Sequence, residues 1–174
     1  MARAREAWWT DPDGGVGGVA PERLVFLDEC GVLTNMVRLH GRSPRGTRAG
    51  ASAPFGHWTR VTVLGALGTE GIVGAMSVEA ATSAAVFHAY LDEVLLPALR
   101  RTKPDAVLVM DNLPAYSPDL NPIEPGWAKV KAELRRVAAR TVDALHEACG
   151  PALAAITAQD AAGFFRHSGY SRPN

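Results

Sequence analysis

Residues 103–131 read K-P-D-A-V-L-V-M-D-N-L-P-A-Y-S-P-D-L-N-P-I-E-P-G-W-A-K-V-K, and this stretch decides the fold. The apolar run at residues 106–110 predicts a buried strand that ends at Asp111. A stiff, turn-rich loop follows and delivers Glu124 to the start of a helix. Because open α/β sheets place their chemistry at strand carboxyl ends, Asp111 and Glu124 are candidate ligands of a divalent metal.

The composition is that of one soluble domain. The chain has 174 residues, of which 47% are hydrophobic and 21% charged, enough for a sizeable core. It has neither an apolar run of membrane-spanning length nor the apolar stretch of a signal peptide, so we expect no membrane partner. Two cysteines are too few for a disulfide framework, which predicts a cytoplasmic protein.

Basic residues are clustered although the formal net charge is zero. Residues 36–60 contain five arginines and no acid, and residues 127–140 contain five lysines and arginines against Glu133 alone. Net neutrality by itself argues against a nucleic-acid partner, but two basic segments imply a polarised surface that can bind phosphates. A solvated face without a partner is the alternative for either segment.

The first part of the chain is predicted to hold a tail and a central strand. Residues 1–20 are Gly-rich and predict a flexible tail or linker, which Trp8 and Trp9 are expected to anchor on the body. Its G-x-G-x-x-A spacing is rejected as a dinucleotide loop because it precedes the first strand. Residues 24–27 predict that strand, with Asp28 at or near its end; a turn acid that caps the next segment is the alternative.

The remaining elements follow from periodicity and turn residues. A helix capped by Thr82 or Ser83 is predicted to cross over to a strand parallel to the first. Pro151 is expected to kink or break a later helix. The other expected elements are a strand at 36–40, a hairpin of strands 60–67 and 72–78, helices at 141–149 and 159–166, and a frayed tail at 167–174.

Asp28, Asp111 and Glu124 come from three separate elements. Carboxylates placed in this way can bridge two Mg²⁺ or Mn²⁺ ions about 3.5–4 Å apart. Such an ion pair activates water or a 3′-hydroxyl for in-line attack on a phosphodiester. The histidines do not fall at metal-ligand spacing with the cysteines or with each other, so no zinc site is predicted.

The chain resembles the Asp-Asp-Glu (DDE) catalytic domain of bacterial insertion-sequence transposases of the Tc/mariner-related group. The resemblance covers nearly everything after residue 23. The motifs that carry it are V-F-L-D-E-C-G at 25–31, T-N-M-V-R-L-H-G-R-S-P-R-G at 34–46, G-H-W at 56–58, V-M-D-N at 109–112, Y-S-P-D-L-N-P-I-E at 116–124 and H-S-G-Y at 167–170.

This resemblance implies an α/β domain at residues 21–170, with an RNase H-like mixed sheet flanked by helices and a frayed end at 171–174. It implies that Asp28, Asp111 and Glu124 are the catalytic residues and hold Mg²⁺ or Mn²⁺. The implied partners are transposon-end and target DNA, in the cytoplasm and associated with the bacterial nucleoid. The residues expected to contact DNA are Arg38, Arg42, Arg45, Lys129, Lys131 and Arg135.

Two departures from the family pattern suggest a truncated and internally deleted copy. The DNA-reading domains that normally precede the catalytic domain are expected to be absent. Only twelve residues separate Asp111 from Glu124, as if the helix and edge strand that normally follow V-M-D-N were missing. We therefore expect residues 106–110 to form a sheet edge and Glu124 to lose support. Pro125 disfavours helical geometry at Glu124, although Asn121 and Glu124 have the spacing of a capping box.

Two functional hypotheses result. The first is a metal-dependent DNA strand transferase; a nuclease with the same fold is chemically close to it. The second is a non-catalytic remnant that binds nucleic acid weakly or associates with a second or intact copy of the transposase. An unrelated α/β module that binds a small molecule would need a deep apolar pocket, which nothing in the sequence indicates.

Overall fold

The computed structural model describes residues 2–11, 15–110 and 118–170, and a mixed four-stranded sheet lies at the centre of this part. The spatial order is β3-β2-β1-β4, in which β4 is parallel to β1 and the other neighbours are antiparallel. The predicted mixed sheet flanked by helices is confirmed. The strands are β1 (Leu24–Leu33), β2 (Arg60–Gly68), β3 (Gly71–Val78) and β4 (Val107–Met110).

Strand β1 continues past Asp28, so the prediction that it ends there is wrong. Gly31 lies within the strand, and a β-carbon at this position would lie 2.6 Å from Arg60 Nη2. β2 pairs with β1 as far as Leu33, whereas β4 pairs only as far as Leu27. Asp28 therefore lies directly beyond the parallel part of the sheet.

The β1–β2 loop (residues 34–59) replaces the strand predicted at 36–40. Its base is closed by two hydrogen bonds: Thr34 N donates to Thr59 O, and Thr59 N donates to the Thr34 hydroxyl. Arg140 Nη1 donates to the carbonyls of Thr34 and Met36. A side chain therefore takes the backbone acceptor of Met36, where the expected strand would begin. Most of the loop beyond Val37 is exposed.

One face of the sheet is covered by the crossover that links β3 to β4. Ser83 caps it as predicted, accepting from Val86 N. The crossover consists of α2 (Ala84–Ala89), a π-helical turn (Tyr90–Leu95) and α3 (Leu96–Thr102). The wider turn directly precedes Pro97, which has no N–H to donate. Buried side chains from this crossover and the sheet form one core cluster, which includes Val25, Leu27, Leu64, Ala66, Tyr90, Leu95 and Leu99.

The opposite face packs against α4 (Ile123–Val137), α5 (Val142–Ala154) and α6 (Ala158–His167). α5 runs through Pro151, so the predicted break is wrong. Thr157 and Asp160 form a capping box at the start of α6. Among the described helices, none is both long and apolar enough to span a bilayer.

The two ends of the described chain meet on this face. The sequence predicted no helix before residue 20, yet α1 (Ala2–Thr10) forms and buries Trp8. Trp8 Nε1 donates to the Tyr170 hydroxyl at 2.9 Å, and Trp9 stacks on the same ring with centroids 5.0 Å apart. The expected anchoring by both tryptophans is thus confirmed. Tyr170 is 4% exposed, so the expected fraying is wrong as far as this residue.

Candidate active site

Asp28 points to the sheet face that α4 covers. It shares that face with Phe26 and Cys30, which belong to the core cluster beneath α4, α5 and α6. Its two carboxylate oxygens accept separate hydrogen bonds: Oδ1 from Glu29 N at 2.7 Å and Oδ2 from Trp127 Nε1 at 3.2 Å. Two such bonds orient a carboxylate, which has about four lone-pair sites in all.

Trp127 reaches Asp28 because Gly65 leaves room for its ring. Gly65 is the cross-strand partner of Asp28 in the β1–β2 pairing. A β-carbon at Gly65 would lie 2.6 Å from Cη2 of the indole, so only glycine admits the ring at this depth. The indole is 2% exposed. A buried indole N–H needs an acceptor, and here the acceptor is the predicted metal ligand.

Glu124 lies in the first turn of α4 and is partly exposed. Pro125 sits within this first turn, where a missing N–H breaks no helical bond, so it does not prevent helix formation. The predicted capping box is not formed: Pro122 is the N-cap residue, and Asn121 Oδ1 accepts from Ile123 N at 3.3 Å.

The support of Glu124 comes from the body of the domain. Ile123 is fully buried, and farther along α4 Val130 and Leu134 are buried in the same core as β1. The Tyr170 hydroxyl donates to Leu120 O at 2.7 Å and so holds the loop that precedes the helix. Among the described residues, these contacts anchor the helix that carries Glu124 and the loop before it.

The carboxylates of Asp28 and Glu124 both affect the pKa of the Cys30 thiol. Burial raises the pKa of Cys30, the Lys131 ammonium and its hydrogen bond to the thiol oppose that rise, and the carboxylates of Asp28 and Glu124 add to it. These groups therefore share one electrostatic neighbourhood. Asp28 and Glu124, two of the three predicted acids, and Lys131 thus all affect the pKa of this one thiol.

Asp111 lies outside the described residues. The residue before it, Met110, pairs with Leu27, the residue before Asp28, on adjacent parallel strands. Within the described ranges, no group of three or more His, Cys, Asp or Glu side chains is arranged to hold a metal ion. A cleft of about 290 Å³ opens beside Asp28 and is lined also by Leu27, Glu29, Leu64, Phe87 and Met110.

The predicted DNA-contacting residues lie in two places. Arg38, Arg42 and Arg45 are exposed on the β1–β2 loop. On α4, Lys131 interacts with Cys30, whereas Lys129 Nζ lies 2.6 Å from Asp160 Oδ2 in an ion pair that joins α4 to α6. Arg135 is partly exposed in the last turn of α4.

Sequence reasoning missed Gly65, Trp127 and Tyr170 as parts of the site. The sequence puts Trp127 at the spacing of an apolar core position on the helix, which by itself predicts packing and not a hydrogen bond to Asp28. Its role depends on the β1–β2 register, which a single sequence does not contain. The E-P-G-W spacing at 124–127 was the available signal, because residues three apart share a helix face.

Comparison with known proteins identifies relatives of this architecture. Residues 23–115 match the family described as DDE superfamily endonuclease. No curated protein matches the chain in sequence.

Among solved structures, the fold is similar to the Mos1 transposase paired-end complex with left transposon end, at a TM-score of 0.67 and 15% identity, covering 95% of this chain and 57% of that chain. The Mos1 mariner paired-end complex with Mn gives a TM-score of 0.67 and 17% identity, with coverages of 95% and 57%. The Mos1 transposase catalytic domain with raltegravir and Mn gives a TM-score of 0.64 and 14% identity, covering 95% of this chain and 86% of that chain. The fold is thus RNase H-like, and the chain spans little more than half the length of the full Mos1 chains.

Proposed function

We propose that this chain, which belongs to the DDE superfamily endonucleases, is the catalytic core of an insertion-sequence transposase that cleaves DNA and transfers strands with divalent metal. The observation that carries the proposal is the convergence of β1 and α4. The Trp127 indole of α4 donates to Asp28 of β1, and Glu124 lies one turn before Trp127 on the same helix. This contact supports placing the two carboxylates at the same end of the sheet.

Asp28 and Glu124, together with Asp111, are the residues that would hold Mg²⁺ or Mn²⁺. Their carboxylate oxygens are the hard ligands that these ions prefer. The parallel pairing of β1 with β4 ends at Leu27 and Met110, the residues that precede Asp28 and Asp111 in the sequence. Bound metal would activate a water or 3′-hydroxyl and stabilise the leaving oxygen. The chain's own contribution is to hold Asp28 in orientation through Glu29 N and the Trp127 indole.

The proposed partner is DNA, both transposon ends and target, in the bacterial cytoplasm. Mos1 structures are described as complexes with a transposon end, with Mn and with Mg. Exposed arginines on the β1–β2 loop would bind phosphates through charge, with Lys131 and Arg135 on α4 adding to this surface. Lys129 would bind DNA only by exchanging its ion pair with Asp160 for one with a phosphate, since Lys129 and Asp160 are already paired.

The test is nicking of supercoiled plasmid in Mg²⁺ or Mn²⁺. We expect metal-dependent conversion to relaxed circles, lost in Asp28→Asn and kept in the matched control Glu29→Gln, whose carboxylate is one residue away. A labelled fragment with a free 3′-hydroxyl, added to the same reaction, separates strand joining from hydrolysis. Absence of metal-dependent product, or equal product from Asp28→Asn, would refute catalysis.

A second candidate is DNA binding without catalysis, by a degenerate copy that acts alone or with an intact transposase. The exposed β1–β2 loop favours it, because its arginines, Phe55 and Trp58 are available for binding whether or not the acids hold metal. This candidate predicts salt-dependent affinity for the plasmid with no nicking, and equal affinity in Asp28→Asn and the unmodified chain.

A further inference from the structure

The contact between Trp127 and Asp28 joins the two elements that carry the predicted metal ligands. Trp127 is the fourth residue on from Ile123, where α4 begins, and Glu124 lies one turn before it on the same side of the helix. Asp28 lies on β1 and pairs with Gly65 on β2. The indole therefore spans the gap between helix and sheet at the level of the acids.

The depth of this contact is fixed by Gly65. The ring fills the space that any β-carbon at Gly65 would take, and the surrounding core leaves it 2% exposed. The Nε1–H bond to Asp28 Oδ2 then sets the rotation of the carboxylate, because Glu29 N already holds the other oxygen. A carboxylate held at both oxygens cannot turn without losing a hydrogen bond.

We propose that Trp127 is a positioning residue: seated over Gly65, its indole N–H fixes the orientation of the Asp28 carboxylate and its spacing from Glu124 for binding of a divalent metal. The inference rests on the proposed function, in which Asp28 is a metal ligand. Groups that orient a metal ligand through its second hydrogen bond typically change metal affinity or activity about 10–100-fold when removed.

The first test needs no catalysis and uses Mg²⁺ alone. The chain has four tryptophans, so indole ¹H–¹⁵N spectra contain few signals, and the Trp127 signal is the one missing from Trp127→Phe. We expect it to shift saturably as Mg²⁺ is added, while the Trp8 signal stays in place. The shift should vanish in Asp28→Asn. A Trp127 signal unmoved by Mg²⁺ overturns the proposal.

The second test compares Trp127→Phe with Tyr90→Phe in the nicking assay. Tyr90 is a matched control, because its ring is also buried and its hydroxyl donates a hydrogen bond, but to Gly74 O in the core on the opposite face of the sheet. We expect the Mg²⁺ concentration for half-maximal nicking to rise about tenfold or more in Trp127→Phe and to stay unchanged in Tyr90→Phe. A merely structural role would lower the stability of both variants without changing either metal dependence.

The outcomes separate this proposal from the proposed function. Nicking by the unmodified chain with the same Mg²⁺ dependence in Trp127→Phe overturns the role of Trp127 and leaves the transposase function standing. No nicking and no Mg²⁺-dependent shift at any indole overturns both. Nicking that weakens in Trp127→Phe and recovers at high Mg²⁺ supports both.

Discussion

Asp28 and the β1–β2 loop belong to the same pair of strands, but they are held in different ways. Asp28 is fixed by two hydrogen bonds above a packed core, and the indole that supplies one of them fills a space that only glycine leaves. The loop instead exposes Leu39, Phe55 and Trp58 at 68%, 107% and 57%, together with its arginines.

This difference shows how each region can be tested. Packing holds the acids in place before any ligand arrives, so damage to that region should be visible in the free energy of unfolding. The loop arginines contribute binding energy only when they displace counterions from DNA phosphates, so damage there should be visible only in salt-dependent binding. A loop variant that lowers the free energy of unfolding, or a variant of the packed region that changes only salt-dependent binding, would contradict this division.

Removing the indole should have the largest effect on stability. We expect Trp127→Ala to lower the free energy of unfolding by about 3–5 kcal/mol, because it leaves a cavity above Gly65. Urea denaturation followed by circular dichroism measures the change. Trp58→Ala removes the same side chain from the exposed loop and should stay within about 0.5 kcal/mol of the unmodified chain. Equal losses in the two variants would remove the distinction between the regions.

The loop that precedes Glu124 should respond less strongly. Tyr170→Phe removes a donor to Leu120 O and the acceptor of the Trp8 indole, which should cost about 1–3 kcal/mol through unsatisfied buried groups. A double-mutant cycle with Trp8→Phe checks the assignment, since the double variant should lose less than the sum of the single losses. Strict additivity would mean that the two rings act independently.

The separation along the chain between interacting residues also explains which parts of the fold could be predicted from the sequence. The hairpin and the parallel crossover follow from local patterns, and the structure confirms both. α1 was missed because its stability depends on Trp8 meeting Tyr170, which is 162 positions away. The frayed end was predicted for the same reason, since H-S-G-Y has no periodicity and its Tyr170 is held by Trp8, Leu120 and the rings of Phe26 and Phe165.

Tertiary partners decide the role of glycine and proline in this fold. Gly31 and Gly65 stand inside strands, and a β-carbon at either would lie 2.6 Å from a side-chain atom, of Arg60 and Trp127 respectively. Pro151 stands inside α5, whose packed face outweighs one missing hydrogen bond. Asp28 and Glu124 were identifiable from motifs, but the indole between them required the register of β1 against β2.

For the β1–β2 loop, we expect substitutions to change DNA binding and to leave stability nearly unchanged. Arg42→Ala combined with Arg45→Ala should lower the slope of log affinity for duplex DNA against log salt by about two, one phosphate contact for each arginine. Fluorescence anisotropy at several salt concentrations measures this slope. The free energy of unfolding should change by less than about 0.5 kcal/mol.

The matched control for the loop is Arg100→Ala combined with Arg101→Ala, exposed at the end of α3. These arginines lie outside both predicted DNA-contacting segments, so the slope should remain that of the unmodified chain. A similar loss of slope in both double variants would show that affinity follows total charge and not the loop.

The ion pair between Lys129 and Asp160 should give the smallest effect, and that effect should disappear at acid pH. The hydrogen bond from Lys129, followed by those from the Thr157 side chain and backbone, lowers the pKa of Asp160 from 3.8 to about 2. A carboxyl group whose pKa is lower in the folded state stabilises the fold above its unfolded pKa and loses that contribution as pH falls through the folded pKa. Lys129→Met should therefore lower the urea midpoint at pH 7 and match the unmodified chain near pH 2, whereas a deficit that persists at pH 2 would assign the loss to packing of the lysine stem.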